Sequence, residues 1–385
     1  MYVHIEKNIL EWVFQQCQNS IISEKILMLL EKWIAEEKTP TFNQVETVSK
    51  ATRIPFGYFF LKEPPEEDMS LLEYRTVDSI ELETPSRDLL DTIHEMELIQ
   101  DWIKEDLLQK GIDPLKFVGA KDVNSDVNDF VNYSRNILGL DLKWFLQGKS
   151  SYDSFRYLRN AISDAGVTVM MSGIVGNNTH RALSVDEFRA FTLIDELAPL
   201  IFINGNDSYN GKLFSLLHEF NHIVLGENSF YNDRYSRQQD VSKAEVLCNA
   251  VAAEILVPNQ LFLDEWQELE DTEASEKIEV IAKSFRCGTI VIARRALDAR
   301  LINRNTYNVA VSAAIKDFRE QRKNKESVGG HYYNTLVSRI DRRFLDSLVN
   351  SVNTGHTLYT DAFRLTNTNQ STFERLILQV RGELM

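Results

Sequence analysis

The chain has 385 residues, of which 43% are hydrophobic and 26% charged, a composition typical of a globular protein with about two to three domains. Its formal net charge of −15 argues against a protein that binds DNA or a membrane surface along its whole length. Its three cysteines are far apart and form no C-x-x-C pair, so we expect buried, reduced thiols and no thiolate metal site. The N-terminus has no signal-peptide pattern, and no run reaches about 18 consecutive apolar residues. We therefore expect a cytoplasmic protein without a membrane span.

Helical patterns dominate the first part of the chain. Apolar residues recur at helical spacing, and Ser23 and Thr41 are the expected N-caps of two short helices. A diproline at 64–65, followed by acidic residues, predicts a linker. Longer helical patterns follow it over residues 84–118 and 126–165.

The pattern then changes to short β-rich runs separated by glycine, asparagine and aspartate. These runs are "GVTVMMSGIV", "EFRAFTLI" and "APLIFING", and they predict a small sheet. Two long helices are predicted next, over 210–226 and 242–257, and then two short helices around a tight turn over 272–304. The last segment, 328–385, is predicted to be mostly helical and carries no motif that identifies a function.

The first of the two long helices contains "LLHEFNHI", with two histidines four residues apart and a glutamate directly after the first. On a helix, residues i and i+4 lie about 40° apart, so His218 and His222 can share one metal ion. Glu219 points about 100° away from His218, which places it beside the ion, where a carboxylate can accept the proton of a water that zinc activates. The surrounding residues are apolar enough for a core helix, and buried histidines and a buried glutamate need partners, which a metal ion supplies.

A hydrolytic zinc site needs a third protein ligand and one open position. The next helix, "KAEVLCNAVAAEILVP", offers Glu245 and Glu254. Glu245 lies on the apolar stripe of this helix and Glu254 on the opposite face, so Glu245 is the predicted third ligand and Glu254 the alternative. Asn249 shares the stripe one turn later, and it either hydrogen-bonds near the site or packs as an ordinary helix amide.

Both helices resemble the ImmA/IrrE family of zinc metallopeptidases, which typically show H-E-x-x-H and then E-x-x-A-N-x-F-A-A-E-x-L-x-P. The resemblance continues upstream through "NTHRALSVDEFRAFTLIDELAPLIFINGNDS". Further upstream, "WIAEEKTPTFNQVETVSKATRIPFGYFFLKEPPEE" and "EYRT" resemble the XRE-type helix-turn-helix region of the longer members. The resemblance covers roughly residues 30–305. It implies that His218, His222 and Glu245 bind Zn²⁺ and that Glu219 is the catalytic base.

The resemblance also implies a fold and an order of domains. The expected fold class is α+β, a mainly helical chain with a small-sheet, zincin-like (gluzincin-type) metallopeptidase core. The expected domains are a degenerate XRE-like helical domain (1–70), a helical connector (71–150), a zinc metallopeptidase core (151–270), a helix-turn-helix-like helical region (271–327) and a C-terminal helical region (328–385).

The implied function is a zinc-dependent endopeptidase that cleaves a regulatory protein partner of the repressor or antitoxin type, with a toxin as a second candidate partner. The alternative is an antitoxin or transcriptional regulator that binds a protein or DNA with little or no proteolysis. An intact Glu219 favours the enzyme, because a purely structural metal site has no need of it. Three departures from the family pattern, Asn221, Cys248 and Ala190, remove no ligand, although Asn221 is expected to alter the shape of the site.

Two questions concern the substrate. The strand "EFRAFTLI" either lies at an edge of the sheet, where it would pair with an extended substrate, or lies inside the sheet. The motifs identify no group that stabilises the oxyanion, and His180, Arg181 and Arg189 are loose candidates for it. Arg189 is also a candidate for substrate binding or for supporting the metal ligands.

Two regions resemble helix-turn-helix elements. Residues 1–70 hold seven Lys+Arg and eleven Asp+Glu, a net charge of −4, which favours docking of a protein over binding of DNA. Residues 290–345 hold twelve Lys+Arg and five Asp+Glu, a net charge of +7, and begin with Arg294, Arg295 and Arg300. For this second region a packed helical hairpin with surface ion pairs is favoured over DNA contact.

Overall fold

The computed structural model describes residues 1–17, 22–65, 85–227, 229–231, 242–324 and 332–380. The chain divides into two compact units, Met1–His94 and Glu95–Met385. Helices dominate both units, and the strands form one small sheet in the second unit, so the expected α+β class is confirmed. The domain boundaries expected near residues 70 and 327 lie outside the described residues and stay predictions.

Short helices form the first unit. They are α1 (Lys7–Cys17), α2 (Glu24–Ile34), α3 (Phe42–Thr52), the 3-10 helix Phe56–Phe60 and the beginning of α4 (Arg87–Gln109). Ser23 and Thr41 are the N-caps of α2 and α3, as expected, and Thr41 forms a capping box with Gln44. The helices from α1 to the 3-10 helix share a core that includes Leu30 and Trp33. "EYRT" and the acidic residues after the diproline lie outside the described residues, and a helix-turn-helix function for this unit stays a prediction.

The second unit contains the rest of α4, the sheet and the remaining helices. Its helices before the sheet are α5 (Val127–Leu138) and α6 (Ser151–Asp164), with the 3-10 helix Trp144–Gln147 between them. Its strands are β1 (Thr168–Ser172), β2 (Ala190–Leu193), β3 (Leu200–Asn204) and β4 (Ser229–Tyr231). Its later helices are α7 (Tyr209–Leu225), α8 (Lys243–Leu256), α9 (Asn259–Glu268), α10 (Ala274–Ser284), α11 (Thr289–Asp298), α12 (Arg304–Asn324), α13 (Tyr332–Arg339), α14 (Arg342–Asn353), α15 (Tyr359–Leu365) and α16 (Gln370–Val380).

The strands of the described chain are ordered β1-β3-β2-β4. β1 is parallel to β3, whereas β2 is antiparallel to both of its neighbours. Strand β2, which comes from "EFRAFTLI", therefore lies inside the sheet, and the hypothesis that it forms the substrate-binding edge is wrong. The three-residue strand β4 was not predicted, because so short a run carries no readable alternation.

One face of the sheet carries a cluster of aromatic side chains, and the other face packs on α7. Phe191 of β2 stacks on Phe202 of β3 at a centroid distance of 5.1 Å, with Phe188 beside them. Side chains alternate along a strand, so Ala190 and Ile201 belong to the opposite face, where they join the core formed with α7. That face positions the motif helix.

The outer edge of β1 is covered by the C-terminal residues. The Val169 amide donates to Oδ2 of Asp341 at 3.1 Å, and the Val169 carbonyl accepts from Nη2 of Arg159 at 2.8 Å. Arg159 also donates to the carbonyl of Ile340 at 3.1 Å. An exposed strand edge invites pairing with other chains. The C-terminal residues therefore protect this edge of the sheet.

One hydrophobic core runs through the second unit from Phe130 to Ile302. It crosses the domain boundaries expected at 150 and 270, which stay predictions. In the part of the chain that the structure describes, no single helix is long and apolar enough to cross a membrane. The bent pair α8 and α9 meets the length and composition criteria together, with a bend of 54°.

Candidate metal centre

The motif helix α7 is a core helix with defined ends. Ser208 caps its beginning by accepting a hydrogen bond from the amide of Gly211 at 3.0 Å. Gly226 ends it in the left-handed conformation, with a φ of 75°. His218, Glu219 and the rest of the helix's second half are buried. The prediction of a buried helix that carries polar side chains is confirmed.

Three side chains on α7 and α8 converge on one point. Nε2 of His218 lies 3.1 Å from Nε2 of His222. Oε2 of Glu245 lies 3.2 Å from Nε2 of His218, and Oε1 of Glu245 lies 3.1 Å from Nε2 of His222. The two histidines are buried, whereas the Glu245 side chain is 30% exposed. The structure thus brings together the three residues that the sequence assigned to the metal.

The triangle has the size that a small tetrahedral metal site requires. With metal–ligand bonds of about 2.0–2.1 Å, the edges of a tetrahedron are about 3.3–3.4 Å long. The observed edges of 3.1–3.2 Å are close to that length. Two imidazole nitrogens and one carboxylate are also a donor set that divalent metals accept. These residues are therefore compatible with a bound metal ion.

Glu245 and Glu254, the two glutamates of α8, have different partners. Ser242 caps α8 by accepting a hydrogen bond from the Glu245 amide at 3.2 Å, so Glu245 lies in the first turn. Burial alone would raise the pKa of the Glu245 carboxyl, but His218 and His222 outweigh it and hold that pKa well below its usual range. Glu254 instead forms an ion pair with Nη2 of Arg295 at 2.5 Å. The geometry therefore favours Glu245 over the alternative that the sequence left open.

Glu219 has a partner that sequence analysis missed. Its carboxylate is buried, and Oε2 accepts a hydrogen bond from Oγ1 of Thr192 at 2.5 Å. Thr192 lies in β2, the strand that packs on α7. The only sign of this contact in the sequence is that Thr192 is a polar residue among the apolar residues of "AFTL". A strand pattern alone does not tell which side chain Thr192 faces.

Arg189 lies at the opposite end of α7 from the cluster. Its Nη1 donates to Oδ2 of Asp207 at 2.6 Å. The Asp207 carboxylate lies against Gly211 in the first turn of α7. If Gly211 carried a Cβ atom, that atom would be 2.4 Å from Oδ2 of Asp207. Gly211 precedes His218 by about 10 Å along a helix axis with a rise of about 1.5 Å per residue. The contact with Asp207 does not bring Arg189 to the metal ligands, and its predicted roles in supporting those ligands or in binding substrate stay predictions.

The other two oxyanion candidates, His180 and Arg181, lie in the loop between β1 and β2. Asn206, just before α7, holds this loop by donating to the carbonyls of Gly173 at 2.6 Å and Leu183 at 2.8 Å. The loop is therefore anchored near the first turn of α7. Neither residue is brought to the metal triangle by these contacts, and their role stays a prediction.

Asn249 is half-buried one turn after Glu245, on the face of α8 that the sequence indicated. Its proposed support of the site stays a prediction. Cys248, beside it, is buried, and burial together with the carboxylates of Glu245 and Glu219 raises the pKa of its thiol well above the usual value.

Asn221 departs from the family pattern and was expected to alter the shape of the site. In the structure it packs against α5. Its Oδ1 accepts a hydrogen bond from Oγ of Ser134 at 3.1 Å, and both residues are buried. The extra amide is therefore accommodated between two helices, and it leaves His218 and His222 in contact with each other.

The arginines after the metal centre pair with acidic groups. Arg294 pairs with Asp298 at 3.0 Å, and Arg295 pairs with Glu254. These contacts agree with a packed helical hairpin. DNA binding by this region stays untested.

The fold and the triangle define an α+β protein with a candidate metal centre on two core helices. Residues 163–297, which include the whole triangle and Thr192, match a peptidase-family model described as the IrrE N-terminal-like domain. Residues 340–377 match a domain of unknown function (DUF8813). No curated protein and no solved structure matches the chain. The first match supports the resemblance to the ImmA/IrrE family and a metallopeptidase type of function, and it does not include the helix-turn-helix region at the N-terminus.

Proposed function

We propose that this protein is a zinc-dependent endopeptidase that cleaves a regulatory protein partner of the repressor or antitoxin type. The observation that carries the proposal is the convergence of His218, His222 and Glu245 within 4.8 Å, on the helix that also bears Glu219 and on the helix after it. A closed structural site has no need of a buried fourth group such as Glu219. Two imidazoles, a carboxylate and an open position form the ligand set of zinc peptidases.

Three of the four residues are metal ligands in this proposal, and the fourth, Glu219, is the catalytic base. His218 and His222 would hold the zinc through Nε2, and Glu245 would hold it through its carboxylate and neutralise part of its charge. When bound, zinc polarises the scissile carbonyl and lowers the pKa of a water to about 7. Glu219 accepts a proton from the attacking water and later donates it to the nitrogen of the leaving amine. The carboxylate is thus unchanged after one turnover.

The substrate class rests on the resemblance to ImmA/IrrE proteins and on the IrrE-like match over residues 163–297. A toxin partner and a DNA contact belong to the alternative, in which the chain regulates by binding. We place the protein in the cytoplasm because Cys17, Cys248 and Cys287 are free and buried, as reduced thiols of cytosolic proteins often are.

The experiment compares zinc-loaded wild type with Glu219→Gln at equal zinc content. Both proteins are incubated with a peptide library derived from a whole proteome and with the intact proteins of the same extract, and new amino termini are identified by mass spectrometry. We expect cleavage by the wild type and a rate about 10²-fold to 10⁴-fold lower for Glu219→Gln, because the proton transfer is lost. Glu270→Gln, which changes an exposed carboxylate, is the matched control and should cleave as the wild type does.

Two results would contradict the proposal. In the first, Glu219→Gln keeps both its zinc and the full rate of cleavage. In the second, the zinc-loaded wild type produces no new amino terminus, which leaves regulation by binding as the function.

A further inference from the structure

Thr192 is a polar residue in an otherwise apolar strand. The neighbours of Thr192 in β2 are Ala190, Phe191 and Leu193, and the Thr192 side chain is 0% exposed. A buried hydroxyl is costly unless it is hydrogen-bonded, so a threonine at this position calls for a specific partner. Valine has the same shape and would fill this space equally well, so packing alone does not explain a threonine at this position.

The partner is the carboxylate of Glu219. An ionised carboxylate only accepts hydrogen bonds, so Oγ1 of Thr192 donates to Oε2 of Glu219, across 2.5 Å. The glutamate side chain has three rotatable torsions and is fixed by its helix only at the Cα end. A hydrogen bond at Oε2 restricts the orientation of the carboxylate and thereby the direction of Oε1.

Thr192 is itself held rigidly. Its strand lies inside the sheet, and its backbone is in register with Ile201 of β3 on one side and Ser229 of β4 on the other. A support on an interior strand holds a catalytic group more accurately than one on a loop. The hydroxyl therefore has a fixed position relative to α7.

We propose that Thr192 is a positioning residue whose hydroxyl holds the Glu219 carboxylate in the orientation for proton transfer beside the triangle of His218, His222 and Glu245. This inference rests on the proposed function, since it assigns Glu219 the role of base. It adds a residue from the sheet to a site otherwise built on two helices.

The test uses the isosteric variant Thr192→Val, which removes only the hydroxyl, and Thr192→Ser, which keeps it. Thr168→Val, which removes a mostly buried hydroxyl from β1, is the matched control. The first readout is kcat and KM on peptides that the wild type cleaves. The second is the calorimetric affinity of the zinc-loaded protein for a short peptide hydroxamate, which binds a metal and hydrogen-bonds to a correctly oriented base. The third is the affinity for zinc.

We expect Thr192→Val to lower kcat by about 10-fold to 100-fold and to weaken hydroxamate binding by about 10-fold, as the loss of a hydrogen bond to a charged group implies. KM and zinc affinity should change little, because no ligand and no substrate contact is removed. Thr192→Ser should stay within about threefold of the wild type, since it keeps the donor. If Thr192→Val does not fold, Thr192→Ser is compared with Thr192→Ala, because both variants lack the methyl group and only the serine keeps the hydroxyl.

Wild-type values for Thr192→Val in both kcat and hydroxamate affinity would overturn the inference. So would equal losses in Thr192→Ser and Thr192→Val, because the shape of the side chain would then be responsible. Undiminished cleavage by Glu219→Gln would instead overturn the proposed function. In that case the hydroxamate affinities still decide whether Thr192 orients Glu219.

Discussion

At the scale of single residues, four polar side chains of the motif helix contact partners on three other elements. Glu245 of α8 contacts both histidines, Thr192 of β2 holds Glu219, and Ser134 of α5 bonds to Asn221. Each of these partners lies far from the motif in sequence. The burial of a polar sequence such as "HEFNH" is therefore stabilised by tertiary contacts, because a helix alone cannot satisfy buried polar side chains.

The pair of Asn221 and Ser134 gives a prediction at this scale. Asn221→Ala and Ser134→Ala should each lower the free energy of unfolding by about 1–2 kcal/mol, because each leaves a buried polar partner unsatisfied. The double variant should show a coupling energy of about 1 kcal/mol. Urea unfolding of the four proteins measures it. A coupling energy of zero would contradict the hydrogen bond, and loss of zinc by Asn221→Ala would show that the amide belongs to the metal centre.

At the scale of elements, the end of the motif helix is fixed by two glycines. The Gly119 amide donates to the carbonyl of Ile223 at 3.1 Å, which brings the loop after α4 onto the last turn of α7. A Cβ on Gly226 would come within 2.9 Å of the Cα of Gly119. Gly226 is therefore required both for its left-handed backbone and for this close approach of two backbones.

Gly226→Ala and Gly355→Ala form a matched pair of variants. Both glycines have positive φ, 75° and 77°, but a Cβ on Gly355 meets nothing within 4 Å. Gly355→Ala should lower the free energy of unfolding by about 1 kcal/mol through backbone strain, and Gly226→Ala by about 2–3 kcal/mol through strain plus displacement of backbone. Equal losses in chemical unfolding would mean that the contact with Gly119 contributes nothing.

The sequence predicted the two helices that carry the candidate metal ligands well, because each has strong periodicity and a cap. The predicted ranges 210–226 and 242–257 correspond to Tyr209–Leu225 and Lys243–Leu256. Helical angles alone also distinguished Glu245 from Glu254. The contacts across elements were not predictable, since periodicity tells which face of an element is buried but not which residue it meets. For that reason Thr192 was missed, and the contact of Arg189 with Asp207 was not predicted.

At the scale of the whole molecule, the candidate metal centre lies on two helices of the core of the larger unit. The core around it extends from Phe130 to Ile302, and the C-terminal residues cover the outer edge of β1. Residues on both sides of the boundaries expected at 150 and 270 thus share one core. The net charge of −15 is unfavourable for binding DNA along the whole chain, and Arg294 and Arg295 of α11 form ion pairs with acidic side chains.

X-ray absorption at the zinc K-edge of the purified chain, together with its zinc content, tests the central claim most directly. We predict about one zinc per chain, bound by nitrogen and oxygen atoms at about 2.0–2.2 Å, two of the nitrogens being imidazole. His222→Ala should lose the metal, whereas Glu254→Gln should keep it. A zinc-free chain prepared without chelators, or a sulfur ligand at about 2.3 Å, would contradict the assignment of His218, His222 and Glu245.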